Sequence, residues 1–360
     1  FPNTPVFIKR LDGHAALVNQ KAIDLTQIDT VTHVEGGIIE RKDQKITGLL
    51  LDNAIDLVTT QIPEPTTKTM ISALINAQKN CYQLGLTGIH ASGVKSKNRD
   101  LIITATHEDQ WKIPMYVMLF PTDKNLDFVK DSGHYKNENI NIRSFKIVAD
   151  GALGSRGACL LEPYQDQHNY QGIMTTPLQK IKETCEVAKV LNYQVNTHCI
   201  GDSANRYVLH TYADILDQDN DSRWRIEHAQ VVHPNDIPLF KNNNIIPSIQ
   251  PTHATTDMRW ASDRLGQQRL HKEGYRAQTF IENGNTIVLG TDFPVESYNP
   301  FRTFHSAVTR QNDEGWPAGG FIPEEKISRI NALHGMTKNA ALASFQEHET
   351  GTLEEGKAAT

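Results

Sequence analysis

The chain has 360 residues, of which 38% are hydrophobic and 22% charged, and its formal net charge is −6 at pH 7. This composition is typical of a globular protein, with room for one large α/β barrel or two average domains. The acidic balance argues against a nucleic-acid partner, and the absence of any run of about eighteen apolar residues argues against a membrane span. The cysteines, at 81, 159, 185 and 199, show no C-x-x-C spacing, which favours reduced thiols without excluding a disulfide.

Both ends of the sequence resemble the interior of a domain. The first ten residues, FPNTPVFIKR, have neither the basic start nor the apolar stretch of a signal peptide. The last ten, GTLEEGKAAT, stop equally abruptly. We therefore expect a fragment with material missing at both ends. A cytoplasmic location is favoured, unless a targeting signal lies outside the fragment.

The first 80 residues do not follow the alternation of strands and helices that begins after them. Residues 35–58, EGGIIERKDQKITGLLLDNAIDLV, predict a hairpin followed by a helix. We expect this part of the chain to be an excursion from the main fold.

From residue 80 onward, short apolar runs alternate with amphipathic segments such as 175–192 and 203–218. This alternation predicts βαβ units and a parallel sheet. The candidate strands are 84–92, 114–120, 142–151, 193–202, 223–230, 244–251 and 285–294. Their spacing favours a closed (β/α)₈ barrel with one strand missing over an open doubly wound sheet. The segment GALGSRG (151–157) lacks the spacing of a phosphate-binding loop, which also speaks against the open sheet.

The third candidate strand contains a lysine inside an apolar run, RSFKIVADG (143–151). Its apolar residues predict burial, and lysine is rarely buried unless a partner pairs with it. Lys146 is therefore either an edge residue whose amine reaches water or a residue whose nitrogen is chemically occupied.

Four candidate strands end on residue types that bind metals, namely Lys146, His198, His228 and Asp292. One histidine at a strand end is more often an ordinary polar residue, and an aspartate before Phe-Pro often only starts a turn. In a barrel, however, the C-terminal strand ends line the active site, and imidazole with carboxylate suits a divalent ion such as zinc. A lysine that reacts with CO₂ becomes a carbamate, which is an anionic ligand able to bridge two ions. We therefore favour the occupied nitrogen for Lys146.

When the seven candidate strands are counted as strands 2–8 of a barrel, the lysine lies on strand 4, the histidines on strands 5 and 6, and the aspartate on strand 8. This order resembles the amidohydrolase superfamily. Longer stretches resemble amidohydrolase family 3, the YtcJ-like proteins, which include N-substituted formamide deformylase. These stretches are 6–19, 146–164, 197–209, 223–238, 247–260, 290–300 and 307–311. The resemblance spans nearly the whole chain and implies a (β/α)₈ TIM-type barrel of the metal-dependent hydrolase kind.

The resemblance also implies parts that are missing from this chain. The family begins with a small β-sandwich and a first barrel strand ending in His-x-His, which supplies two more metal ligands. No His-x-His occurs in this sequence, and DGHAALVN around His14 matches a different motif of the family. We expect residues 1–80 to lie between barrel strands 1 and 2, residues 81–346 to supply strands 2–8, and residues 347–360 to begin the return to the sandwich.

The activity that the resemblance implies is hydrolysis of a C–N bond in a small-molecule amide or formamide. One or two divalent ions, most simply zinc, would activate a water molecule and polarise the carbonyl. Lys146, His198, His228 and Asp292 would hold the metal, and Asp292 would also act as the general base.

Three further residues, His14, Arg156 and His253, are expected in loops at the barrel mouth as substrate contacts. A role for Arg156 in tying loops together remains equally open.

Two alternative functions also remain open. One is a catalytically incompetent barrel, or a binding remnant, without the His-x-His strand. The other is a deaminase or cyclic amidase of the same superfamily. The lysine favours amide or imide hydrolysis, because the deaminases of the superfamily typically lack it. The expected partner is a small molecule rather than nucleic acid or membrane, and a homodimer is left open.

Overall fold

The computed structural model describes residues 1–358. Its β-strands are β1 (Phe7–Lys9), β2 (Ala15–Val18), β3 (Gly37–Lys42), β4 (Lys45–Asp52), β5 (Ile89–Val94), β6 (Met115–Leu119), β7 (Tyr135–Lys136), β8 (Ile140–Val148), β9 (Gln194–Cys199), β10 (Arg225–His228), β11 (Ile246–Ile249) and β12 (Val288–Leu289). Its α-helices are α1 (Gln20–Thr26), α2 (Asp56–Thr59), α3 (Thr67–Gln83), α4 (Ser96–His107), α5 (Asp123–Ser132), α6 (Leu178–Val190), α7 (Asp202–Ile215), α8 (Ile237–Asn242), α9 (Pro251–Asp257), α10 (Ala261–Leu265), α11 (Gln267–Glu273), α12 (Ala277–Glu282), α13 (Pro300–Thr309), α14 (Arg329–Met336) and α15 (Lys338–Ala343). Short 3₁₀ turns cover Asn53–Ile55, Pro234–Asp236 and Pro323–Glu325.

The main sheet is parallel and its strands follow one another in chain order, β5-β6-β8-β9-β10-β11-β12. Each of the candidate strands from the sequence overlaps one of these strands; β5 extends beyond the predicted 84–92, and β8 begins before the predicted 142–151. The short strand β7, which pairs antiparallel with β8, was not predicted. Between consecutive parallel strands the chain returns through helices, as βαβ connections require. The part of the fold that carries the site is therefore α/β, as expected.

The sheet curls strongly, because side chains from distant strands meet inside it. His90 on β5 and Arg225 on β10 lie four strand positions apart, which would be roughly 19 Å in a flat sheet. Their side chains are nevertheless hydrogen-bonded, with 3.1 Å between Arg225 Nη1 and His90 Nδ1. The sheet therefore encloses an interior lined by polar side chains.

The hydrophobic core lies between this sheet and its outer helices. Every residue of β6, MYVML, is buried, as is usual for a parallel strand covered on both faces. On the outer side Tyr212 of α7 packs edge-on against Trp224, with ring centroids 4.8 Å apart. Cys199 is buried in the same core, on the side of β9 opposite to the interior, as strand alternation predicts. Within residues 1–358, none of the helices combines the length and apolarity needed to cross a bilayer.

The N-terminal region forms a separate antiparallel sheet with the order β1-β2-β4-β3 and a small core of its own. The predicted hairpin and helix are confirmed as β3, β4 and α2. The hairpin turns at Asp43 and Gln44, which both have positive φ, as two-residue hairpin loops require. The sheet contacts the loop after β8, where Asn53 Nδ2 donates to the Thr175 carbonyl over 2.8 Å. This contact brings the β1–β2 turn to the same end of the molecule as the C-terminal strand ends.

Candidate active site

Side chains from several strand ends meet at the C-terminal edge of the parallel sheet. Lys146 lies on β8, His198 on β9 and His228 at the end of β10, while Asp292 follows β12. His253 lies in α9, directly after β11. The C-terminal ends of parallel strands share one edge, so these residues are brought together although they are far apart in sequence.

The mouth cluster, defined as His198, His228, His253 and Asp292, is continuous in space. The His198 and His228 rings are 4.6 Å apart between centroids, and the His228 and His253 rings are 5.7 Å apart. His253 Nε2 lies 3.6 Å from Asp292 Oδ2. Ligand atoms of His228, His253 and Asp292 all lie within 4.8 Å of one another. His253, expected only as a substrate contact, thus lies among the candidate metal ligands.

The imidazoles of this cluster are suited to a metal ion. His228 Nδ1 is 2.7 Å from Gln250 Oε1, and an amide oxygen only accepts, so Nδ1 carries the proton and Nε2 keeps its lone pair. Burial lowers the pKa of His228 to about 4 and that of His198 well below its usual value, so both rings are neutral. The buried Nε2 atoms of His198 and His253 have no hydrogen-bond partner. Buried nitrogens of this kind are normally paired, and a divalent ion would supply the missing partner.

Lys146 points into the same interior and is only 7% exposed. Among the described residues, no carboxylate lies within 4.0 Å of its Nζ. Burial lowers the pKa of Lys146, while Glu227 and then Asp292 oppose that shift. Of these two carboxylates, Glu227 has the larger influence. A buried amine with a lowered pKa is more readily neutral, and the neutral form is the one that reacts with CO₂.

Asp150, whose role the sequence did not reveal, holds the loop after β8 to the end of β9. Its carboxylate is fully buried and accepts hydrogen bonds from the backbone N–H groups of Cys159, Ile200 and Gly201 at 2.8–2.9 Å. Asp150 Oδ1 also lies 3.6 Å from His198 Nε2. Burial raises the pKa of Asp150 to about 7, although the three N–H groups favour the ionised form. The only signal in the sequence was the Asp-Gly that ends the strand.

A second polar group, the floor cluster of His90, Asn196, Arg225 and Glu227, lies nearer the N-terminal ends of the strands. Arg225 Nε is 2.7 Å from Asn196 Oδ1 and 3.0 Å from Glu227 Oε1. His90 is the member of this cluster that β5 contributes. The structure places it beside Arg225, where burial and then the Arg225 charge lower its pKa to about 3. The pairing of Arg225 with Glu227 was not predicted.

The remaining two predicted substrate contacts lie in different surroundings. The His14 ring is 5.2 Å from the His198 ring between centroids, which places His14 beside the mouth cluster. Arg156 is paired instead with Asp166, with Nε–Oδ1 at 3.0 Å and Nη2–Oδ2 at 2.7 Å. Arg264 shares the same carboxylate. The structure thus brings His14 to the cluster and shows Arg156 in contact with a neighbouring loop.

Comparisons with known proteins agree with this geometry. A model of the amidohydrolase family matches residues 1–359. The chain is 32% identical to Protein LONG AFTER FAR-RED 3 of Arabidopsis thaliana, over 99% of this chain and 64% of that protein. It is 29% identical to YtcJ of Bacillus subtilis, named as an amidohydrolase, and 25% identical to the N-substituted formamide deformylase of Arthrobacter pascens. Each of these matches covers 99% of this chain and 68% of the relative, so the chain spans about two thirds of these proteins.

Solved structures resemble the chain over almost its whole length. An uncharacterized metal-dependent hydrolase of Pyrococcus furiosus superposes with a TM-score of 0.78 at 27% identity, covering 99% of this chain and 71% of its own. Another, of Pyrococcus horikoshii, gives a TM-score of 0.81 at 25% identity, covering 98% of this chain and 70% of its own. The curled sheet is therefore that of metal-dependent hydrolases.

Proposed function

The chain belongs to the amidohydrolase family, and from this premise we propose that it hydrolyses the C–N bond of a small-molecule amide or formamide with the help of a divalent metal. The observation that carries the proposal is the mouth cluster, in which imidazoles, two of them with buried unpartnered nitrogens, lie beside a carboxylate. The printed name of the relative from Arthrobacter pascens supports N-substituted formamides as the first substrates to test.

Lys146, His198, His228 and Asp292 are the residues that would hold one or two ions, with zinc as the first candidate. When bound, such an ion supplies Lewis acidity, which lowers the pKa of a coordinated water toward ~7 and polarises a carbonyl. His253 adds a further imidazole beside Asp292.

Asp292 is the general base in this proposal. Its side chain is 35% exposed, whereas the other members of the mouth cluster are more enclosed, so it faces the space that a substrate would enter. Its carboxylate takes a proton from the attacking water as the oxygen adds to the carbonyl carbon. It then passes that proton to the nitrogen as the C–N bond breaks, so that an amine and a carboxylic acid leave.

Lys146 contributes as a carbamate. Its neutral amine attacks CO₂, an N–C bond forms and one proton is released, which leaves an anionic oxygen ligand beside the mouth cluster. The enclosed position and lowered pKa of Lys146 support this assignment.

The complete fold is part of the same proposal. Among the described residues, β5 and β12 each pair with a parallel strand on one side only. We infer that one further strand closes the sheet into a (β/α)₈ barrel, with residues 1–80 as an excursion and residues 347–360 as the start of a return to a β-sandwich.

The test combines metal analysis and hydrolysis in the intact protein. We expect one or two zinc-like ions per chain and release of butylamine from N-butylformamide, both abolished by a chelator. Lys146→Ala should lose metal and activity together, and short-chain carboxylates should restore part of both by replacing the carbamate. Lys136→Ala, at an exposed lysine paired with Glu349, is the matched control and should change neither.

Three outcomes would contradict the proposal. An intact protein that binds no transition metal would favour a non-catalytic barrel. Activity confined to cyclic imides or to amino-substituted heterocycles would favour the cyclic amidase or the deaminase. Retention of metal and activity in Lys146→Ala would show that a carbamate on Lys146 is not required.

A further inference from the structure

His14 reaches the mouth cluster from the N-terminal sheet and is held there by a buried carboxylate. Its Nδ1 lies 2.6 Å from Asp52 Oδ1, and the side chains of His14 and Asp52 are 18% and 1% exposed. The backbone adds a second link, because Asp52 N–H donates to the His14 carbonyl over 3.2 Å. The β1–β2 turn and the end of β4 therefore form one unit that presents a single imidazole to the site.

Asp52 has an unfavourable backbone conformation and a buried oxygen without a partner. It has φ 49° and ψ −128°, a backbone conformation that side chains rarely adopt. Its buried Oδ2 has no hydrogen-bond partner. A Cβ on Gly151 would lie 2.6 Å from Asp52 Oδ1, and one on Gly157 would lie 2.7 Å from Oδ2. Gly151 and Gly157 of GALGSRG thus make room for this carboxylate.

We propose that Asp52 is a positioning residue that fixes His14 with its proton on Nδ1, so that His14 Nε2 accepts a hydrogen bond from the N–H of a secondary amide substrate. This inference rests on the proposed function, because it assigns the recognition of the amide nitrogen to His14. It predicts a preference for N-monosubstituted over N,N-disubstituted amides.

The chemistry follows from the donor inventory of the pair. An ionised carboxylate only accepts, so the proton between Asp52 and His14 belongs to Nδ1. In a neutral imidazole the other nitrogen then carries a lone pair, and its partner must be a donor. The leaving nitrogen of a secondary amide carries one N–H, whereas that of a tertiary amide carries none. A buried acceptor left without its donor disfavours the tertiary substrate.

The first test reads the position of the proton directly. Intact, zinc-loaded protein with ¹⁵N-labelled histidine is examined by long-range ¹H–¹⁵N NMR, and the His14 signals are assigned by their loss in His14→Gln. We expect a neutral ring protonated on Nδ1. In Asp52→Asn, an NH₂ group placed at the Oδ2 position would have no acceptor. The amide should therefore orient its NH₂ toward His14 and donate to Nδ1, which moves the ring proton to Nε2.

The second test measures selectivity as the ratio of kcat/KM for N-butylformamide to that for N-butyl-N-methylformamide. We expect Asp52→Asn and His14→Gln to lower this ratio by about fivefold or more, the value of one neutral hydrogen bond, with zinc content unchanged. Asp56→Asn removes an exposed carboxylate four residues away and is the matched control, expected to leave both the ratio and the His14 signals unchanged. Thermal melting confirms that each variant is folded.

The outcomes separate this inference from the proposed function. A His14 ring protonated on Nε2, or on both nitrogens, in the wild type overturns the inference. A selectivity ratio that stays unchanged in Asp52→Asn and His14→Gln also overturns it. Loss of zinc in His14→Gln would overturn it as well, because His14 would then be a metal ligand. A wild type that hydrolyses neither formamide contradicts the proposed function, and the wild-type NMR spectrum then decides whether the Asp52–His14 arrangement stands.

Discussion

The floor cluster and the mouth cluster share one polar interior but differ in how their members are satisfied. In the floor cluster, each Arg225 nitrogen has a partner: Nε faces Asn196 and Glu227, Nη1 faces His90, and Nη2 lies 3.2 Å from Met118 Sδ. The positive charge is thus matched by a carboxylate within the protein. Asn196 Nδ2 and Glu227 Oε1 are buried without a hydrogen bond, but Glu227 Oε1 lies 3.0 Å from Arg225 Nε, so the two buried charges compensate each other.

The mouth cluster lies one layer higher and is left unsatisfied. His198 Nε2 and His253 Nε2 are buried without partners, and the neighbouring Lys146 lacks a close carboxylate. Unpaired buried polar groups cost free energy, so a ligand that pairs with these two imidazole nitrogens would stabilise the structure. The difference lies in which atoms are left unpaired: those of the mouth cluster are imidazole nitrogens, which can bind a metal ion, whereas those of the floor cluster are an amide nitrogen and a carboxylate oxygen beside Arg225.

The largest effect is expected from breaking the floor cluster. Arg225→Met keeps an unbranched apolar stem but removes the guanidinium, which leaves Glu227 as a buried charge without its partner. Removing one member of a buried ion pair costs about 3–5 kcal/mol, so the free energy of unfolding should fall by that amount in urea denaturation.

The double variant Arg225→Met/Glu227→Gln is the control for this effect. It removes both charges and should recover a substantial part of the loss, because the cost comes from the uncompensated carboxylate. A double variant as unstable as the single one would show that packing of the Arg225 side chain, rather than charge, holds the floor together.

The sequence predicted the mouth cluster better than the floor cluster for a geometric reason. Strand ends are visible in a sequence, and parallel strands bring their ends together. Four residues could therefore be grouped without a structure, namely Lys146, His198, His228 and Asp292. Alternation fails at β10, where Glu227 and His228 are consecutive yet both face inward. His228 has φ 74°, which breaks the strand and turns its side chain into the interior. No sequence pattern reports such a turn.

Pairings between distant segments were also beyond the sequence. Arg225 meets His90 across 135 residues, and Asp52 meets His14 from another strand of the N-terminal sheet. Both depend on how the sheets curl and dock, which periodicity does not encode. The strand and hairpin positions, in contrast, depend on local patterns and were predicted.

Zinc should stabilise the intact protein through the mouth cluster. An ion that binds only the folded state at a free concentration 100 times its Kd adds about 2.7 kcal/mol, visible as a rise in Tm on titrating metal-free protein. His198→Gln should remove most of this rise. His107→Gln, at a surface histidine hydrogen-bonded to Tyr135, should preserve it. Equal rises in both variants would place the zinc elsewhere.

A smaller effect is expected from acidification, through His90. Its pKa is lowered to about 3 by burial and then by Arg225, while the unfolded chain titrates near 6.5. Below pH 6.5 the unfolded state therefore binds a proton that the folded state does not, and stability falls as the pH falls toward 3. From pH 7 to pH 5 this costs about 2 kcal/mol.

The variant His90→Gln isolates this contribution, because a glutamine oxygen can still accept from Arg225 but does not titrate. Urea denaturation at pH 7 and pH 5 should show a loss of stability that is about 2 kcal/mol smaller in the variant. The same loss in both proteins would mean that other groups cause the acid sensitivity.

The smallest effect is expected at Arg156, and it decides whether this residue belongs with the mouth cluster. Arg156 and Arg264 share the Asp166 carboxylate at the partly exposed edge of the site, where ion pairs contribute at most about 1 kcal/mol. If Arg156 only ties loops together, Arg156→Gln and Asp166→Asn should each lower the free energy of unfolding by at most about that amount and leave the KM for N-butylformamide unchanged. If Arg156 holds the substrate, Arg156→Gln should raise KM, whereas Asp166→Asn should free the guanidinium and leave KM the same or lower it. The sign of the difference between the two variants therefore separates the two roles, even where both changes in stability are small.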